Sequence, residues 1–114
     1  MNIYALSTSP GIAGIAVVRI SGNKSGEIIK LLTGKDIPKP RVATLRKIKK
    51  INSSELIDEG IILWFPGPQS YTGEDMAEIH VHGSKAVVDA LHSCFSKIEN
   101  CRLAEPGEFT KLAF

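Results

Sequence analysis

The chain has 114 residues, enough for one hydrophobic core and too few for two. A composition of 43% hydrophobic and 23% charged residues excludes disordered, collagen-like and coiled-coil proteins. The net charge is only +2, but it is unevenly spread: residues 1–50 contain ten Lys and Arg and two acids, and residues 51–114 contain four and ten.

The first predicted elements are two β-strands. Residues 3–8 and 15–20 are rich in apolar and β-branched side chains, and the Ser-Pro-Gly turn at 9–11 separates them. This arrangement predicts a hairpin or a crossover pair.

A short helix is predicted next. Residues 21–23 supply turn and N-cap chemistry, and Ile28, Leu31 and Leu32 then recur at helical spacing until Gly34 ends the helix.

Three more strands follow in the middle of the chain. Residues 42–51 alternate loosely between apolar and basic side chains, which is typical of an exposed or edge strand. Residues 56–65 are nearly all β-formers and predict a central strand, which the prolines of 66–68 terminate. After the polar loop 69–75, residues 76–82 alternate again as a strand.

The last third predicts a second helix, a short strand and the start of another helix. Residues 83–84 open the second helix, and residues 101–104 form the strand. Residues 105–108 resemble a loop that leads into a helix, and the early end of that helix indicates a truncated chain. The apolar stripe of the second helix consists of Val87, Leu91, Cys94, Phe95 and Ile98.

These elements predict a single α+β domain over residues 1–114, a two-layer sandwich in which two helices cover a mixed β-sheet. No apolar run approaches the roughly 20 residues that a membrane-spanning helix needs, and no secretory signal opens the chain. Cys94 and Cys101 lack the spacing of a zinc or disulfide motif. We therefore expect a cytoplasmic protein with two free thiols and no membrane contact.

Arg19 is the one charged residue on an otherwise apolar face of the predicted strand 15–20. Period-two alternation places it on the same face as Ile15 and Val17. Its guanidinium fits a carboxylate or a ligand carbonyl, so a ligand contact and an intramolecular ion pair are equally plausible interpretations.

A second polar group occupies one face of the strand at 76–82. Glu78, His80 and His82 project in parallel and could chelate zinc or another divalent ion. Alternatively, Glu78 accepts hydrogen bonds from a heterocyclic ligand, or the face is simply solvated.

Nucleotide motifs are missing from the sequence. There is neither a G-x-x-x-x-G-K-[ST] loop nor a G-x-G-x-x-G loop, so these residues alone are not expected to hydrolyse GTP or to be catalytic.

Seven Lys and Arg crowd residues 35–50, where Asp36 is the only acid. The segment could attract phosphates, although the lack of interleaved aromatic residues favours a solvated strand and loop.

Five motifs in order resemble the MnmE/TrmE family of tRNA modification GTPases and span nearly the whole chain. They are V-R-I-S-G at 18–22, L-W-F-P-G-P at 63–68, S-Y-T-G-E-D at 70–75, H-G at 82–83 and P-G-E-F-T at 106–110. The resemblance implies a homodimerising N-terminal domain that is structurally akin to the folate-binding part of the glycine-cleavage aminomethyltransferase.

The same resemblance implies a ligand, 5-formyltetrahydrofolate or a related reduced folate, with Arg19 and Glu78 at folate-contacting positions. A complete family member adds a helical domain and a GTPase domain that uses GTP, potassium and magnesium. It acts with an FAD-dependent partner of the MnmG type to modify carbon 5 of the wobble uridine in tRNA. A metal-binding domain using Glu78, His80 and His82, or a structural dimerisation module without a ligand, remains the alternative.

Two features depart from the family pattern. Residues 9–14 read S-P-G-I-A-G where many relatives have P-P-G-x-G-G, and His80 stands where the family is not expected to require histidine.

Overall fold

The computed structural model describes residues 1–8 and 14–113. The predicted turn at 9–11 and most of the departing segment 9–14 therefore lie outside the described residues. The strands are β1 (Asn2–Thr8), β2 (Ile15–Ser21), β3 (Thr44–Lys49), β4 (Leu56–Phe65), β5 (Met76–His82) and β6 (Cys101–Leu103). The helices are α1 (Ser25–Thr33), α2 (Lys85–Ser96) and α3 (Glu108–Ala113). In the described ranges, no helix is long and apolar enough to cross a membrane.

The six strands form one sheet in the order β3-β4-β5-β2-β1-β6. All neighbouring strands are antiparallel except β1 and β6, which are parallel, so the predicted mixed sheet is confirmed. The prediction of an edge strand at β3 is also confirmed. β4 is an interior strand, as predicted, since it pairs with β3 on one side and β5 on the other; β5 and β2 occupy the middle of the sheet.

A single hydrophobic core lies between one face of the sheet and the helices α1 and α2, which confirms the two-layer α+β sandwich. The strand alternation decides which side chains enter this core: Val18 is fully buried and its neighbour Arg19 is exposed. Other core members include Tyr4, Ile20, Ile28, Ile29, Leu32, Ile62, Ile79, Leu91 and Phe95. We call the opposite side of the sheet, which α1 and α2 do not cover and on which Arg19, Leu63 and Glu78 lie, the helix-free face.

The start of α1 differs from the prediction. Its N-cap is Lys24 and not a residue of 21–23, and no side chain of the cap residue bonds to the helix. The amide of Lys24 instead donates to Oδ1 of Asn2 in β1, at 2.9 Å. A buried asparagine from a distant strand thus accepts from the amide of the cap residue, the bond that the residue at N3 makes in a capping box.

The remaining helix signals agree with the structure except at Leu31. Gly34 ends α1 in the left-handed conformation, with φ of 67°, and Ser84 caps α2 by accepting from the amide of Val87. Leu31 was expected on the buried stripe, but 49% of it is exposed and Ile29 is buried instead.

Candidate functional site

Arg19 and Glu78 meet on the helix-free face. They are register partners on the adjacent central strands β2 and β5. Nε of Arg19 donates to Oε2 of Glu78 at 3.0 Å, and the two side chains are 47% and 19% exposed. The ion-pair interpretation of Arg19 is therefore confirmed, and the pair stays accessible from solvent.

His80 extends this pair to a group of three side chains. Its Nε2 lies 3.0 Å from Oε1 of Glu78, so each carboxylate oxygen of Glu78 has one protein partner. Among the described residues, Nη1 and Nη2 of Arg19 donate to no protein acceptor, and a carboxylate has about four lone-pair sites of which two are used. The group keeps both donors and acceptors for a ligand.

His82 belongs to a different pair. Nδ1 of His82 lies 3.0 Å from Oδ1 of Asp58 in β4, and its backbone amide donates to Oδ2 of Asp58 at 2.8 Å. Burial raises the pKa of Asp58, but the hydrogen bonds from His82 outweigh it and hold this pKa below its ordinary value.

The metal-site alternative required Glu78, His80 and His82 to converge. In the structure, Glu78 and His80 face each other while His82 faces Asp58. In the part of the chain that the structure describes, no group of three His, Cys, Asp or Glu side chains is placed to hold a metal ion. The side chains of Glu78, His80 and His82 therefore lack the convergent geometry that chelation of a metal ion needs.

Apolar side chains surround the polar group. Val17, Ile61 and Leu63 are only partly buried on the helix-free face. A shallow cavity of about 190 Å³ lies beside His80 and is lined by residues that include Ile15, Leu45, Ile61 and His82. A polar group within a partly apolar surface is the setting in which ligand sites commonly occur.

Two motifs that lie some 50 positions apart in sequence are in contact. Oγ of Ser21 and Oγ1 of Thr72 are 2.7 Å apart in a buried hydrogen bond, and the amide of Gly22 donates to the carbonyl of Asp75 at 2.9 Å. Oδ1 of Asp75 also accepts from the amide of Gly67, which closes the loop on itself. The loop is thereby fixed at the end of β2 that follows Arg19.

Sequence reasoning did not single out Thr72 or Asp75, although both lie in the S-Y-T-G-E-D motif. Gly22 adds a similar constraint, because a Cβ there would meet Oδ1 of Asn2 at 2.1 Å and the backbone has φ of 139°. Thr72, Asp75 and Gly22 hold the loop 67–75 in place. Their position within the family motifs was the signal in the sequence that could have identified them.

The fold and these contacts define an α+β domain that presents a polar group on an open sheet face. The chain matches the family described as the N-terminus of the GTP-binding protein TrmE over residues 2–114, and it belongs to that family. It is 75% identical over 114 residues to a tRNA modification GTPase of Pelagibacter ubique, covering 100% of this chain and 26% of that protein.

Other relatives agree with this assignment. A tRNA modification GTPase of Rickettsia bellii is 51% identical over 113 residues, covering 99% of this chain and 25% of that protein. A mitochondrial 5-taurinomethyluridine tRNA synthase subunit of Danio rerio is 48% identical over 113 residues, covering 99% of this chain and 22% of that protein. The chain thus spans about a quarter of the length of these relatives.

Proposed function

We propose that this chain is the reduced-folate-binding and homodimerising domain of a cytoplasmic GTPase that modifies tRNA. The observation that carries the proposal is the accessible pair of Arg19 and Glu78 on the helix-free face. The relatives are named as tRNA modification GTPases, and this supports the activity of the whole protein.

The chemistry of this pair fits a reduced folate. A pterin presents neighbouring N–H donors, which the unused lone pairs of Glu78 can accept. The free Nη groups of Arg19 suit the carbonyl of the ring or the carboxylates of the glutamate tail. When bound, 5-formyltetrahydrofolate supplies a one-carbon unit, and Arg19 and Glu78 hold and orient it.

The rest of the proposal concerns the parts of the relatives that this chain does not span. We assign the binding of GTP, potassium and magnesium to those parts. The modification of carbon 5 of the wobble uridine requires an FAD-dependent partner of the MnmG type. The present residues contribute the folate site and the dimer surface.

We infer that a second copy of the chain covers part of the helix-free face. Ile15 and Leu45 lie on this face with 59% and 57% of their surface exposed, beside the partly buried Ile61. Contiguous exposed apolar side chains of this kind mark interaction surfaces.

Calorimetric titration with 5-formyltetrahydrofolate tests the site. Arg19→Ala and Glu78→Ala should each weaken binding at least tenfold, because each removes one partner of a charged hydrogen bond worth roughly 1.5–3 kcal/mol. Arg102→Ala is the matched control, since Arg102 also pairs with a glutamate, Glu108, but lies elsewhere on the surface. Unchanged affinity in both site variants would refute the assignment.

A further inference from the structure

The later part of the basic segment seen in the sequence forms one border of the sheet. Pro40 bridges to Trp64 in parallel, and the amide of Arg41 donates to the carbonyl of Trp64 at 2.8 Å. From Thr44 onward, β3 pairs with β4. Residues 40–49 therefore follow the outer side of β4, and no further strand lies beyond them in the described sheet. We call this border, together with the loop residues 35–39 that lead into it, the basic edge; its cations are Lys35, Lys39, Arg41, Arg46, Lys47 and Lys49.

The cations of the basic edge are not neutralised by the protein. In residues 1–8 and 14–113, none of the six forms an ion pair, whereas the neighbouring Lys50 pairs with Glu55. Lys35, Lys39, Arg41 and Lys47 are exposed, and Arg46 and Lys49 are partly exposed.

The acids near the basic edge do not cancel this charge. Asp58 is occupied by His82, and Glu59 is the register partner of Lys47 without forming an ion pair to it. Asp36 is the only acid within the segment itself. The border therefore carries a clear excess of positive charge.

Protection of the sheet edge explains only part of this pattern. Lysines on an edge strand discourage pairing with another chain, which accounts for Lys47 and Lys49 in β3. Lys35, Lys39 and Arg41 precede β3 and are not part of a paired strand. A long anion that runs along the border accounts for both groups, because the six extended residues of β3 alone reach roughly 20 Å, enough to face several phosphates.

We propose that the basic edge binds the phosphate backbone of the tRNA. The identity of the RNA rests on the proposed function. Residues 35–50 contain no aromatic side chain and the neighbouring Trp64 is buried, so the contacts are with phosphates and position the RNA without reading its sequence. The edge is separate from Arg19 and Glu78, which lie on the two central strands.

Fluorescence anisotropy with a labelled, unmodified tRNA transcript tests this inference in 50 to 200 mM KCl. The triple variant Lys39→Gln, Lys47→Gln and Lys49→Gln should bind at least tenfold more weakly at the low salt concentration. Its slope of log affinity against log salt should fall by about 2, since each lost phosphate contact removes roughly 0.7–0.9. The control variant Lys85→Gln, Lys97→Gln and Lys111→Gln loses the same charge from α2, α3 and the residue that caps α2, and should stay within twofold of the original chain.

Three results would overturn the inference. These are an unchanged slope in the edge variant, an equal loss in the control variant, or competition by polyglutamate as strong as that by unlabelled tRNA at equal charge. Titration of the same proteins with 5-formyltetrahydrofolate separates the two proposals. Folate binding without RNA binding would refute only the inference about the basic edge. RNA binding without folate binding would refute only the proposed folate site.

Discussion

Gly60 shows how one residue without a side chain allows β4 and β5 to approach. A Cβ at this position would lie 2.2 Å from the carbonyl oxygen of His80, a backbone atom that cannot move away alone. Residue 60 thereby helps to place His80, and with it the partner of Glu78, on the helix-free face.

Replacing Gly60 by Ala should therefore destabilise the fold by roughly 2 kcal/mol or more, because the two strands must separate. Gly26→Ala is the control. There a Cβ is crowded by the flexible tip of Ile37 and makes an ordinary contact of 3.4 Å to Trp64, and alanine favours the helix, so the change should stay within about 1 kcal/mol. Denaturant unfolding measures both, and an equal effect of the two substitutions would contradict the proposed cause.

The candidate site was only half predictable at this scale. Alternation along a strand placed Arg19 and Glu78 on defined faces, since side chains two apart always point the same way. It could not tell which residues lie opposite each other, because the register depends on how separate strands pair. For that reason the ion pair of Arg19 with Glu78, and the hydrogen bonds of His82 with Asp58, emerged only from the structure.

Single elements were predicted well where both their interiors and their ends carried signals. β4 and β5 have the predicted bounds, since runs of β-formers end at prolines or at glycine. The predicted start of α1 was wrong because the amide of its cap residue, Lys24, donates to Asn2, which lies 22 positions away in β1. Local propensity does not report such a long-range contact.

The junction of β6 and α3 predicts a specific dependence of stability on pH. Arg102 bonds to both carboxylate oxygens of Glu108, and with the amide of Glu105 it lowers the pKa of Glu108 from 4.5 to about 2. The unfolded chain then takes up this proton before the folded chain does. The stabilisation is fully present above pH 4.5 and is lost as the pH falls toward 2.

Thermal unfolding of Glu108→Gln checks this expectation. The variant should melt below the original chain at pH 6, and the gap should close progressively between pH 4.5 and pH 2.5. Glu99→Gln, which changes an exposed acid beyond α2, should show no such convergence. A gap that is constant with pH would mean that the ionised form of Glu108 is not the stabilising one.

The molecule as a whole has two unlike faces. Helices α1 and α2 cover one side of the sheet, while the helix-free face carries Arg19, Glu78 and exposed apolar side chains. The layer architecture was predictable because the buried rows of the strands match the apolar stripes of the helices. The exposure of apolar side chains on the helix-free face was not predictable. Strand alternation shows which residues share a face, but it does not show whether a second copy or a ligand covers that face.

Sedimentation velocity at several concentrations tests the inferred dimer. The chain should sediment as a dimer, and the double variant Ile15→Asp and Leu45→Asp should shift toward a monomer because it places charges on the shared surface. Leu31→Asp is the control, since Leu31 is similarly exposed but lies on α1. Dissociation by Leu31→Asp, with none in the double variant, would place the interface on the helical side.

The central claim is that a reduced folate binds between β2 and β5 on the helix-free face. The most direct measurement is a nuclear magnetic resonance titration of the isotope-labelled chain with 5-formyltetrahydrofolate. The largest shifts should occur at the Nε–H of Arg19 and at backbone amides of β2 and β5, with little change in α2. Saturating ligand that leaves Arg19 unshifted, or that perturbs mainly the helical side, would contradict the claim.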